Sequence, residues 1–288
     1  MLRYAMDVIR DVERSAASES LTSALPPLRR GLGLDQFGEL MISMPMAEFP
    51  ILSRALPKMA SAGVQINWTG NNGIALLHQS VAFVRSAAFN YVSLTGKTLN
   101  GASMLDYGCG YGRLARLMYY FTNPDRLFGV DPWDQSIALC RDAGMGANFR
   151  LSEYLPKTLP TPGPFDFVYA FSVFTHTSRR ATLAAMAACR RCIADDGVML
   201  ITIRPVEFWS VGESAHGLTD ASQMIQAHDA LGFAFTPSNL APIDGDITFG
   251  NTSMTVAWIE ANIPSWRVAA VDHSLQDPYQ IYVVLQPV

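Results

Sequence analysis

The sequence predicts a doubly wound α/β fold, a mostly parallel sheet covered by helices on both faces. Of its 288 residues, 49% are hydrophobic and 16% are charged, so the chain can bury a large core. From residue 103 onward, short apolar runs alternate with helical patterns at the pitch of β–α units. The last two apolar runs are joined by a short connector, which predicts that they pair antiparallel.

Seven apolar runs are the predicted strands. They are residues 103–107, 127–131, 147–151, 165–171, 198–203, 266–272 and 279–285. The connector SLQDP between the last two is too short for the helical crossover of about a dozen residues that parallel neighbours need. An antiparallel C-terminal hairpin should therefore finish the sheet. Such sheets bind ligands at the carboxyl ends of their parallel strands, where candidate site residues are expected.

The sequence before residue 100 predicts an N-terminal helical cap. One amphipathic helix is indicated by apolar residues at four-three spacing: Leu77, Val81, Val84, Ala88 and Tyr91. Prolines, among them Pro26 and Pro27, are expected to break the earlier chain into short pieces, and NWTGNNG at 67–73 predicts a turn. We therefore expect an accessory cap over residues 1–99 and a core over 100–288, with 205–262 as an insertion or acceptor lid.

Composition also limits the partners. Lys and Arg total 21 against 25 Asp and Glu, a formal net charge of −4, and no basic stripe is present, which argues against a nucleic-acid partner. No apolar run approaches the roughly 20 residues that span a bilayer. The amphipathic N-terminus and four scattered cysteines favour a reducing, cytoplasmic location. We expect a small-molecule or glycan partner and no membrane span, and a homo-oligomer stays open.

The strongest motif is an apolar strand that runs directly into Gly108, Gly110 and Gly112. Glycines at alternate positions let the backbone turn tightly and approach a ligand, with a helix N-terminus behind them. Asp131 ends the next predicted strand, where a carboxylate can accept hydrogen bonds from a ribose diol. The alternative is a plain strand-to-helix turn with a helix-capping Asp. The joint placement favours a nucleotide cofactor.

The glycine spacing separates two cofactor classes. The dinucleotide fingerprint Gly-x-Gly-x-x-Gly would place its third glycine at Arg113, whereas this chain has Asp106-x-Gly-x-Gly-x-Gly. That pattern resembles motif I of the class I S-adenosylmethionine-dependent methyltransferases, and the terminal hairpin resembles that family as well. A nicotinamide-dependent oxidoreductase and a catalytically inactive cofactor-binding module are the rival hypotheses.

The resemblance covers most of residues 100–288, through the blocks LDYGCGYGR, GVDPWDQS, FDFVYAFSVFTH and GVMLITI. It implies a Rossmann-like sheet, S-adenosylmethionine as cofactor, and a role for each matching residue. The three glycines and Cys109 would form the loop beneath the methionine moiety, which Asp106 orders, and Asp131 would hold the ribose. The remaining implied contacts are Pro132, Trp133, Ser152 and Glu153 around the adenine, and Phe171 and Ser172 at the methionine end.

More narrowly, SVFTH and the late elements resemble methyltransferases associated with glycan biosynthesis, which implies O-methylation of a sugar or glycan precursor. The alternative is a small natural-product O- or N-methyltransferase. His176, which follows the fourth strand, is the first candidate for a general base, with a structural role as its alternative.

Two further residues after the fifth strand are candidates for the acceptor site. Arg204 could clamp a carboxylate or phosphate of the substrate, or form a surface salt bridge. His216 lies where class I enzymes place acceptor contacts. We expect no metal, because Cys189 and Cys192 lie in a helical pattern with no second ligand pair, which indicates core packing.

Overall fold

The structure, a computed structural model, describes residues 2–15, 19–216 and 221–288, without the side chains of residues 212–216. Its α-helices are α1 (Met6–Arg14), α2 (Leu21–Gly31), α3 (Leu34–Ser43), α4 (Leu52–Ala55), α5 (Ala62–Thr69), α6 (Leu77–Thr95), α7 (Arg113–Met118), α8 (Asp134–Asp142), α9 (Arg179–Cys192), α10 (Glu207–His216), α11 (Ala221–Leu231) and α12 (Val256–Asn262). Within the described ranges, no helix combines the length and apolar character needed to cross a bilayer.

The strands follow the predicted apolar runs closely. They are β1 (Met104–Tyr107), β2 (Leu127–Asp131), β3 (Phe149–Leu151), β4 (Phe165–Ala170), β5 (Ile193–Ile203), β6 (Phe233–Pro237), β7 (Gly250–Met254), β8 (Trp266–His273) and β9 (Ile281–Pro287). All seven predicted strands are present. The pair β6 and β7 falls in the stretch 205–262, whose sequence shows no regular alternation.

The chain divides into two compact units. Unit 1 comprises Met1–Phe89 and Thr98–Leu151, and unit 2 comprises Asn90–Lys97 and Ser152–Val288. In unit 1 the strand order is β3-β2-β1, and both pairs are parallel. Tyr107 at the end of β1 is in register with Val130 near the end of β2, so the carboxyl ends of these strands lie side by side.

In unit 2 the strand order is β4-β5-β9-β8. Strands β4 and β5 are parallel, whereas β9 pairs antiparallel with both β5 and β8. The predicted antiparallel hairpin is confirmed, since β8 and β9 are joined by a connector too short for a helix. The fold is a Rossmann-like α/β sheet, mostly parallel with antiparallel C-terminal strands and preceded by a helical region, as predicted.

The helical N-terminal region differs from the prediction at two places. Pro26 and Pro27 do not break the chain but lie inside α2, which Ser20 caps by accepting a hydrogen bond from the Ser23 backbone N–H. The residues NWT at 67–69 belong to α5, and the turn begins at Gly70, which adopts φ +77°. In α2, packing of the buried Ala24, Leu25 and Leu28 thus outweighed the local tendency to break a helix. The domain boundary near residue 100 stays a prediction.

The stretch 205–262 has its own small core. Phe208 and Trp209 of α10 pack with Ala221 and Ala234, and β6 and β7 form a separate antiparallel pair. The Trp209 indole N–H and His228 both hydrogen-bond the Ser253 hydroxyl, at 2.7 Å each. The described residues of this stretch therefore form part of unit 2. Its role as an acceptor lid stays a prediction.

Candidate active site

The glycine loop of unit 1 is a tight turn between β1 and α7. The backbone N–H groups of Gly108 and Cys109 both donate to the Val130 carbonyl, at 2.8 and 3.1 Å. Gly108, Gly110 and Gly112 have φ angles of +75°, +53° and +75°, which only glycine adopts readily. A Cβ on Gly112 would lie 2.3 Å from the Met145 sulfur, so a side chain at this position would also require Met145 to move.

Asp131 at the end of β2 holds the loop. Its carboxylate accepts from the Gly110 N–H and from the Trp133 N–H, at 2.9 Å each. Burial raises the pKa of Asp131, and hydrogen bonds from these two backbone groups and the Ser136 side chain oppose that shift. A carboxylate offers about four acceptor positions, so Asp131 can accept a further hydroxyl donor. Asp106, predicted to order the loop, is buried within β1.

Three aromatic side chains gather beside this loop. Trp133 is 42% exposed and stacks on Trp68 of α5, with ring centroids 4.6 Å apart and an interplanar angle of 26°. The Trp68 ring also lies 5.8 Å from that of Tyr111. Pro132 is half-buried. Trp68 is not predicted as a site residue by the sequence, because the local pattern shows just an aromatic residue in a glycine- and asparagine-rich stretch.

Two cysteines lie under the loop. The thiols of Cys109 and Cys140 point to the Gly110 carbonyl, at 3.8 and 3.3 Å, and both residues are buried. Burial raises the pKa of the Cys109 thiol. Cys109 is therefore a protonated packing residue of the loop.

The residues that follow β3 and β4, which are predicted to contact the adenine and methionine ends of the cofactor, belong to unit 2. Phe171 follows β4 and is buried, and Ser172 has a φ of +58°, a strained angle for a non-glycine residue. The strain is held by a hydrogen bond from the Ser172 N–H to the Thr202 hydroxyl at 2.7 Å. Ser152 is half-buried and Glu153 is exposed. Their cofactor roles stay predictions.

His176 and Arg204 form a hydrogen-bonded pair in unit 2. Arg204 directly follows β5, and one of its Nη2 hydrogens is donated to His176 Nε2 at 3.0 Å. Because the Gly250 carbonyl can only accept, the 2.8 Å contact to His176 Nδ1 places the ring proton on Nδ1. The imidazole also stacks on Phe249, with centroids 5.2 Å apart. Both ring nitrogens of His176 are therefore engaged.

The electrostatics of this pair favour a neutral imidazole. Burial lowers the pKa of His176 from 6.5 to about 3, the positive charge of Arg204 adds to this, and the Gly250 carbonyl opposes it. A general base at His176 would need the Nε2 lone pair, which accepts from Arg204 in this arrangement. The contacts favour a role in orienting Arg204, and the base role stays a prediction.

The lowered pKa of His176 predicts a pH dependence of stability. The unfolded chain binds a proton on this residue below pH 6.5, whereas the folded chain does not until about pH 3, so acidification destabilises the fold. We expect wild type to lose more unfolding free energy than His176→Asn between about pH 7.5 and pH 5. Denaturant unfolding at both pH values measures this.

The control for this experiment is His78→Asn, since His78 is exposed on α6. The control should lose as much stability on acidification as wild type. If His176→Asn also follows wild type, the imidazole is not held neutral and the described pairing is wrong.

The remaining residues singled out by the sequence in this region are His216, Cys189 and Cys192. His216 is the last residue of α10, and its side chain lies outside the described residues. Cys189 is buried and Cys192 half-buried at the end of α9, as core packing requires. Among the described side chains, no group of three His, Cys, Asp or Glu residues is arranged to hold a metal ion.

Comparison with known proteins identifies the class. Residues 104–197 match the family described as "Methyltransferase domain", which covers β1 to the start of β5 with the glycine loop and Asp131. None of the curated proteins matches the chain in sequence. The similarity therefore lies in the part of the chain that carries the predicted cofactor residues.

Solved structures that are similar to this chain include two methyltransferases and Streptomyces venezuelae DesVI. Streptomyces venezuelae DesVI is 15% identical with a TM-score of 0.50, over 73% of this chain and 93% of that one. Magnesium protoporphyrin IX methyltransferase (ChlM) from Synechocystis PCC 6803, solved with bound S-adenosylhomocysteine, is 13% identical with a TM-score of 0.49, over 79% and 93%. A Clostridium acetobutylicum S-adenosylmethionine-dependent methyltransferase is 11% identical with a TM-score of 0.48, over 72% and 90%.

The motif, the sheet and the family match define a class I S-adenosylmethionine-dependent methyltransferase domain. The protein is a methyltransferase enzyme, and its cofactor is S-adenosylmethionine, as the sequence predicts. The residues present fit that cofactor, because Gly110 has only the Trp68 ring within 4 Å of where its Cβ would point, and Asp131 offers a buried carboxylate beside it.

Proposed function

We propose that this enzyme methylates a hydroxyl group of a small sugar or glycan precursor that carries an anionic group. The observation that carries the proposal is Arg204, a buried guanidinium at the carboxyl end of β5 that forms no ion pair within 4.0 Å among the described residues. A buried cation is costly unless an anion meets it, so a negatively charged substrate group is the partner that this site lacks.

The guanidinium is held by neutral groups. Its Nη1 donates to the Thr175 carbonyl and to the Asn251 side-chain oxygen, at 2.8 Å each, and its Nη2 to His176. Its plane lies over the Phe208 ring, with Cζ 4.0 Å from the centroid. Of the five guanidinium N–H groups, those on Nε and one on Nη2 have no acceptor among the described residues.

Arg204 stays charged at neutral pH. Burial lowers its pKa from 12.5 to about 10, while Asp277 opposes that shift. Nε and Nη2 share one edge of the planar guanidinium, and such an edge matches two oxygens of a carboxylate or phosphate. The same charge disfavours an ammonium acceptor, so the site supports O-methylation over the N-methylation alternative.

Polar side chains near the end of β4 support a hydroxyl acceptor. The Ser172 hydroxyl lies 3.2 Å from that of Thr175 and accepts from the Gln280 amide at 3.2 Å. The Gln280 side-chain oxygen is buried and has no partner among the described residues. A buried acceptor of this kind is costly until a donor such as a sugar hydroxyl meets it.

The reaction is an in-line displacement in which the bound cofactor supplies an electrophilic methyl carbon. The protein contributes chiefly orientation, which can account for a large part of a rate enhancement. We assign Arg204 to bind the anionic group and His176 to fix its orientation, with Ser172 and Gln280 hydrogen-bonding the acceptor. We place the reaction in the cytoplasm, because all four cysteines are free thiols, as is usual in a reducing compartment. The acceptor that we propose is a small molecule.

Arg204→Met tests this proposal. We expect kcat/KM for an anionic acceptor to fall roughly tenfold to a hundredfold, because a charge-assisted hydrogen bond contributes about 1.5–3 kcal/mol. The affinity for S-adenosylhomocysteine should stay unchanged. The measurement is release of S-adenosylhomocysteine with matched sugars that differ only by a phosphate or carboxylate.

Two variants control the Arg204 experiment. Arg204→Lys keeps the charge but not the planar fork, and should recover part of the preference for anionic sugars. Arg179→Met removes an exposed arginine of α9 and should leave kinetics unchanged. The proposal is wrong if Arg204→Met prefers anionic over neutral sugars as strongly as wild type does.

A further inference from the structure

Trp68 lies on the face of the glycine loop that a ligand would use. A Cβ built on Gly110 would have only the Trp68 ring within 4 Å, at 3.9 Å. The same indole stacks on Trp133, which follows the ribose-binding candidate Asp131 by two positions. Trp68 therefore lies beside Gly110 of the glycine loop and also contacts Trp133, which is predicted to flank the adenine.

The helix that carries Trp68 is weakly anchored. The buried side chain of α5 is a polar one, Gln65, which donates to the Ala60 carbonyl at 2.6 Å and accepts from the Gly73 N–H at 2.8 Å. Gly70 and Gly73 follow with φ angles of +77° and +54° and with open space around them. Elements that bury little apolar surface open at low free-energy cost, so α5 can move without disturbing the core.

The position of Trp133 is tied to the ribose acceptor. Its backbone N–H donates to the same carboxylate, Asp131, that is placed to bind the ribose. An adenine attached to that ribose would meet the exposed Trp133 indole. The 4.6 Å between the Trp68 and Trp133 centroids is a single stacking distance, so no third ring fits between the two indoles as they stand.

We propose that Trp68 is a cofactor-binding residue and that α5 is a flap over the adenosine moiety. When S-adenosylmethionine binds, α5 lifts, the adenine enters between the two indoles, and each of its faces stacks on one of them. The inference rests on the cofactor class and is independent of the acceptor.

The first test is titration of the cofactor-free protein, comprising residues 1–288, with S-adenosylhomocysteine and, separately, with adenosine. Trp68→Ala should bind both ligands roughly tenfold to a hundredfold more weakly, the range for loss of one aromatic face against a base. Trp68→Phe should recover most of the affinity because it keeps a stacking ring. The matched control is Ile66→Ala, which truncates an exposed apolar side chain on the same helix and should bind like wild type.

The second test observes the indole pair itself. Two stacked indoles give a coupled-exciton signal in circular dichroism, obtained here as the difference between wild type and Trp68→Phe. Saturating S-adenosylhomocysteine should remove this signal, because an inserted adenine roughly doubles the distance between the rings.

Three outcomes would overturn the proposal. Wild-type affinity in Trp68→Ala would mean that the indole makes no cofactor contact, and tighter binding would mean that it only blocks the site. An exciton signal that survives saturation would show that the rings do not part. Failure of the wild-type protein to bind S-adenosylhomocysteine would instead contradict the cofactor assignment.

Discussion

Gly110→Val is expected to abolish binding of S-adenosylhomocysteine while the protein still folds. Gly110 adopts φ +53°, and a branched side chain would project from the loop towards Trp68, onto the face that the cofactor needs. Valine in the left-handed region also costs about 1–2 kcal/mol. Isothermal titration should therefore give no measurable heat of binding, and circular dichroism should retain the wild-type spectrum.

The matched control for this variant is Gly144→Val. Gly144 has φ +83°, and nothing lies within 4 Å of the Cβ that it would gain. The control therefore carries the backbone strain without filling the ligand face, and it should lose stability but bind S-adenosylhomocysteine normally. Normal binding by Gly110→Val would show that the cofactor does not run along this loop.

Asp131→Ala is expected to weaken S-adenosylhomocysteine binding by a factor of about 10 to 150, equivalent to roughly 1.5–3 kcal/mol for lost charged hydrogen bonds. The carboxylate would contact the ribose hydroxyls and also anchors the backbone N–H groups of Gly110 and Trp133. Its removal therefore loosens the loop and the adenine-facing indole together. Titration of both proteins under one set of buffer conditions measures the loss.

Asp134→Ala controls for the change in charge. Asp134 is the exposed first residue of α8, three positions after Asp131, and should tolerate alanine with unchanged affinity. An Asp131→Ala protein that is folded and binds as tightly as wild type would exclude the ribose assignment.

The sequence predicted those features that local patterns encode. The seven strands follow from apolar runs, and the terminal hairpin follows from the length of one connector. The glycine loop and Asp131 could be predicted because the loop directly follows β1 and Asp131 is the last residue of β2. Parallel pairing of these two strands brings them together. Pairing within one β–α–β unit is decided by residues close in sequence, which is why the prediction succeeded here.

Contacts between distant segments were not readable in this way. Trp68 reaches Trp133 from another helix, and Arg204 joins His176 to Asn251 through side-chain geometry alone. No periodicity records such contacts, because they depend on packing of whole elements. The β6–β7 pair was missed because β7, with the sequence GNTSM, contains no apolar run, and because a long connection separates the two strands.

The burial of the cysteines makes the native thiols a reporter of local opening. Cys109 and Cys140 belong to unit 1, and Cys189 and Cys192 to unit 2, so each unit carries its own pair. Burial raises the pKa of Cys109 and Cys189, and that of Cys192 to about 12, which suppresses the reactive thiolate in the folded state. The alkylation rate of each cysteine, measured by peptide mass spectrometry, therefore reports the rate at which each unit opens, with no engineered label.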